Sequence, residues 1–125
     1  MKGFVDDIEK ITLANTYFRY VVFTAPHSQL VVMCLAPGEE IGIEVHTEND
    51  QFLRIEKGTG KAVIDGEVSE IHDGFAIIIP AGSMHNIINS SSGEMKLYTI
   101  YSPPHHPDST THKTKAEALK VESHH

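Results

Sequence analysis

The chain has 125 residues, enough for one domain with a core of its own. Hydrophobic residues make up 40% and charged residues 22%, a globular balance that excludes a disordered chain. Its 17 acidic and 10 basic residues give a net charge of −7, which argues against nucleic acid or an anionic membrane as partner and reads most simply as solubility.

The opening segment MKGFVDDIEKITL has no apolar core of signal-peptide length, and no stretch is apolar for long enough to span a membrane. Within it, VDDIEKI suggests one or two helical turns. Strand signals then follow one another. YFRYVVFTA (17–25) is rich in aromatic and β-branched residues, and QLVVMCLA (29–36) comes after the break Pro26–His27–Ser28. Cys34 lies in this second run. As the single cysteine it forms no intrachain disulfide, its apolar neighbours predict a buried inert thiol, and a lone thiol suits a cytoplasmic location.

EIGIEVH (40–46), QFLRIEKG (51–58), GKAVIDG (60–66), EVSEIHDG (67–74), FAIIIPAG (75–82), HNIINS (85–90) and MKLYTIYS (95–102) complete the strand set, with Gly, Pro, Asn or Asp between nearly every pair. Asp65–Gly66 is a type I′ hairpin signal. Short strands at this spacing predict an all-β sandwich or barrel over residues 1–104. Residues 105–125 read as a Pro/His-rich C-terminal segment followed by a short helix or tail. His105, His106 and His112 in that segment are open to three readings: a second metal site, a lid over the barrel mouth, or a solvated tail. His124 and His125 read as part of a purification tag.

Strand 40–46 places Gly42, Glu44 and His46 on one face and Ile41, Ile43 and Val45 on the other. The apolar face needs a cover, and a homodimer is the expected one. Gln51, opening the next strand, can return to the spot where Glu44 and His46 point. Downstream, the turn at Pro80 and Gly82 aims His85 inward. Imidazole and carboxylate together ligate divalent transition metals, and two His plus one carboxylate leave positions open for substrate or dioxygen. Gln51 adds a neutral carbonyl oxygen, or a hydrogen bond behind the ligands. No thiolate joins, which argues against a closed structural zinc site. The same residues could also form a metal-free polar pocket. Leu53 and Ile55, in phase with Gln51, are expected inside, and Arg54, out of phase, outside.

The spacing resembles that of the small single-domain cupins. Their first motif appears here as Gly38, Glu44, His46, Gln51 and Gly58, and their second as Gly74, Pro80, Gly82, His85 and Asn89, with 15 residues between the motifs. The resemblance implies a double-stranded β-helix, or jelly-roll barrel, and a metal site. Two positions depart from the family pattern: Glu44 stands where a His is usual, and Gln51 where a Glu is usual. The implied cofactor is one divalent transition metal ion (Fe, Mn, Zn or Ni) held by Glu44, His46, Gln51 and His85. The implied function is a metal-dependent enzyme acting on a small molecule, with oxygenase-like chemistry first and isomerase or lyase chemistry second. A non-enzymatic ligand-binding module is the competing class.

Overall fold

The computed structural model describes residues 2–122; His124 and His125 lie outside them. The chain is mostly β, in two antiparallel sheets that make a jelly-roll sandwich. Helix α1 (Ile8–Ala14) begins at Asp7, whose carboxylate accepts the Lys10 N–H as an N-cap. The strands follow as β1 (Arg19–Thr24), β2 (Gln29–Leu35), β3 (Glu44–Val45), β4 (Asp50–Lys57), β5 (Thr59–Ile64), β6 (Glu67–His72), β7 (Ala76–Ile79), β8 (Met84–Ile88), β9 (Met95–Ser102) and β10 (Thr111–His112), before α2 (Lys115–Glu122).

Six strands form one sheet in the order β10-β1-β2-β9-β4-β7, and four form the other in the order β3-β8-β5-β6. Alternation along the strands sends Leu53 and Ile55 of β4, Leu97 of β9, Val31, Met33 and Leu35 of β2, and Ile87 of β8 into the shared core. The hairpin between β5 and β6 turns at Asp65 and Gly66, both with positive φ (48° and 82°), as a type I′ turn requires. Asn89 lies fully buried at the end of β8. Its amide donates to the carbonyls of Leu35, Ala36 and Gly93, fastening the two sheets at one end.

Strand 40–46 is shorter than the sequence predicts. Glu40 makes an isolated bridge to Ile88, and the ladder resumes only at Glu44–Val45. Gly42 lies between them at φ 110°, a backbone state that L side chains avoid, and its N–H is taken by the Asn86 side chain. The kink breaks the alternation. Ile41 packs against the core, while Ile43 and Val45 stay on the outer surface, so the three do not share one face. Segment 105–122 is tied to the barrel: His112 and Thr111 pair with Arg19 and Tyr20 of β1.

Candidate metal centre

The site is built where β3 and β8 meet. Glu44 pairs directly with His85, which sets their side chains next to each other. His46 follows one residue beyond β3, and its carbonyl accepts the Gly82 N–H at 2.8 Å, so the two motif segments are stitched together beside the site. Glu44, His46 and His85 each offer one ligand atom, and the three atoms lie within 4.8 Å of one another, close enough to hold one ion. The Glu44 carboxylate is 3.7 Å from His46 Nε2.

The hydrogen bonds leave the right atoms over. His85 Nδ1–H donates to the Ser83 carbonyl at 3.0 Å, which leaves the Nε2 lone pair for the site. Gln51 Nε2 donates to the buried Thr99 hydroxyl at 3.0 Å, which leaves its carbonyl Oε1. His46 Nε2, His85 Nε2 and Gln51 Oε1 are all buried without a hydrogen-bond partner. Orphaned buried polar atoms are costly and rare. The two imidazole nitrogens, beside the Glu44 carboxylate, are the donor set that a divalent transition ion would satisfy, and Gln51 Oε1 is a further orphaned oxygen.

Electrostatics also favour neutral imidazoles. Burial pushes His46 down to about 4, aided by the nearby charges of His105, His85 and Arg19. His106 is held down to about 2, again chiefly by burial and then by Arg19. Neutral rings are the form that binds metal.

The sequence reading did not place several neighbours. Tyr101, paired with Gln51 across β4 and β9, sets its ring 5.8 Å from that of His46 at 87°. The aromatics Phe23, Phe75 and Tyr98 pack elsewhere: Tyr98 on Phe52, Phe23 on Phe4, and Phe75 against His72. His105 stands 4.2 Å from the His46 ring, so the Pro/His-rich segment does reach the barrel mouth. Arg19 is 2% exposed and meets His112 Nδ1 at 3.4 Å. Arg54, as expected, points away and bridges to Glu56 at 3.0 Å.

Among known proteins, a family model described as a cupin domain matches residues 31–101. The chain is 42% identical over 127 aligned residues to the uncharacterized protein YrkC of Bacillus subtilis, covering 97% of this chain and 68% of that one. It is 49% identical over 108 residues to the uncharacterized protein L612 of Acanthamoeba polyphaga mimivirus, covering 83% and 68%. The crystal structure of BH2720 from Bacillus halodurans superimposes with a TM-score of 0.94 at 42% identity over 95% of each chain. The family match runs through Glu44, His46, Gln51 and His85 and the strands that carry them, and the chain belongs to the cupin family.

Proposed function

We propose that this cupin is a metal-dependent enzyme acting on a small molecule, with oxygenase-like chemistry, at a centre held by Glu44, His46 and His85 with Gln51 alongside. The observation that carries the reading is the convergence of three ligand atoms within 4.8 Å, with both imidazole Nε2 atoms buried and unsatisfied. A bound Fe, Mn, Zn or Ni ion would supply a Lewis acid with open positions for a chelating substrate oxygen and for dioxygen. The protein's part is to fix the ligands. Ser83 sets the His85 tautomer, Thr99 turns the Gln51 carbonyl away from itself, and Tyr101 backs the His46 ring. Leu53, two residues along β4 from Gln51, is fully buried in the apolar core.

A homodimer is part of the same reading, supported by the apolar outer face of the four-stranded sheet. So is a cytoplasmic location, supported by the single buried thiol. Among the described residues no helix is long and apolar enough to cross a membrane.

Metal analysis of protein purified without an added His tag tests the centre. About one transition ion per chain is expected, lost in Glu44→Ala and His85→Ala. A redox-active ion together with oxygen uptake on enolic or phenolic substrates supports the oxygen chemistry, and a redox-inert ion shifts the reading to an isomerase or lyase. No ion, even after reconstitution, overturns the enzyme reading and leaves a ligand-binding barrel.

A further inference from the structure

His105 lies outside the trio of ligand atoms that could hold an ion, yet its ring touches that trio. The centroids of His105 and His46 are 4.2 Å apart at 62°, and His105 also stacks on Tyr101 at 5.3 Å and 30°. Its backbone is held with unusual firmness for a loop. Gln29, 1% exposed, accepts the N–H of His105 at 3.2 Å and of His106 at 3.0 Å through one oxygen, and donates to the His106 carbonyl at 2.7 Å. Asn49 donates to the Pro103 carbonyl. Pro103 and Pro104 stiffen the approach from β9. A buried glutamine committed to two consecutive loop residues is a built device. What it positions is an exposed imidazole at the edge of the candidate centre.

The donor set gives that imidazole something to do. Glu44, His46 and His85 supply three protein atoms, which leaves positions on a transition ion open to a further side chain as well as to substrate. The fourth protein atom on offer is the Gln51 amide oxygen, a weak ligand for an ion that accepts imidazole readily. We propose that His105 is the third imidazole ligand of the centre: its backbone stays fixed by Gln29 and Asn49 while its ring turns from contact with His46 onto the ion. This rests on the metal reading above. Under it, the C-terminal segment completes the donor set as the Glu44 carboxylate and three imidazole nitrogens with Gln51 alongside, and the site is complete only when the segment is docked.

Counting ligand nitrogens tests this without any substrate. Protein loaded with one equivalent of Cu(II) is studied by pulsed EPR, which resolves the remote nitrogens of coordinated imidazoles. Three are expected in the wild type and two in His105→Ala, with His105→Asn behaving like His105→Ala. Both proteins carry His124 and His125, so binding by the tail cancels in the difference. Zn(II) affinity is expected to fall about 10-fold or more in His105→Ala, and by a smaller factor in Gln29→Ala, which frees the backbone but keeps the ring. A wild-type count of two, or a count and affinity unchanged by His105→Ala, overturns the role of His105 and leaves the Glu44, His46, His85 centre standing. Failure of the wild type to bind either ion overturns both.

Discussion

Gln51 donates to Thr99 and therefore has only its carbonyl left for the site, and Gln29 spends both ends of its amide on the backbone of residues 105 and 106. These choices fix which atoms face the centre. They were not legible from the residues alone, because an amide's partner depends on which strand lies beside it. Glu44, His46 and His85 were legible, since the spacing of two motifs carries them. His105 was legible only as one of three open readings, because strand alternation stops at Ser102–Pro103 and beyond it no periodicity tells a reader where a side chain goes. Arg19 was missed for a related reason, because an arginine in an aromatic strand reads as outward and here turns inward in phase with Val21. Cys34 was read as buried and inert, and its surroundings explain why. Burial, then the hydrogen bond it donates to Glu94 at 3.3 Å, push the thiol from 9.0 up to about 11. The unfolded chain loses this proton first as pH rises. The stabilisation by the protonated thiol is therefore complete below pH 9 and is lost between about 9 and 11. Iodoacetamide labelling of the folded protein should accordingly stay slow at pH 9, where an ordinary thiol is half ionised, and rise only toward pH 11. Labelling at the rate of a free thiol at pH 8.5 would contradict this environment.

At the level of elements, the strand runs read from the sequence recur in the fold with ends shifted by a few residues, because turn residues mark where ladders must stop. The exception is strand 40–46. Its residues have the right alternation, but Gly42 takes a conformation that interrupts the ladder, and alternation cannot report backbone angles. A second glycine shows a constraint of another kind. A Cβ on Gly60 would stand 2.1 Å from the Ile88 carbonyl oxygen and 2.5 Å from the Met95 methyl. The carbonyl belongs to the backbone of β8, the strand that carries His85, and it cannot move without shifting the ladder. Gly60→Ala should therefore cost ~3 kcal/mol, the upper part of the usual overpacking range. For a domain of this size that lowers the melting temperature by about 10 °C. Calorimetry of the variant checks it. A change under about 2 °C would mean that β5 and β8 can separate freely, and the register of Glu44 against His85 would lose its support.

The whole molecule leaves one surface unexplained by its own chain. Across the outer side of the four-stranded sheet lie Ile43 (72% exposed), Val45 (46%), Met84 (53%) and Val68 (58%). Val45 pairs with Met84 and Val68 with Val63, while Ile43, Val63 and Met84 line one shallow depression, so the apolar surface is continuous from β3 to β6. Its flank carries charges of both signs, Lys61 opposite Glu70. An apolar centre with a mixed polar rim is the anatomy of a subunit interface, and two such faces related by a two-fold axis suit each other without any second protein. This face also backs β3 and β8, so association would brace the strands that present Glu44 and His85. Sedimentation should give twice the chain mass of 13.8 kDa at micromolar concentration. Ile43→Glu should give a monomer that still folds, because this side chain is the most exposed of the four and contributes little to the isolated chain. Burial of one Ile is worth about 1.5–3 kcal/mol, and symmetry counts it twice, so the dimer dissociation constant should rise at least about 100-fold. A wild-type monomer at these concentrations, or an Ile43→Glu variant that stays dimeric, would move the interface elsewhere and leave this face open to solvent.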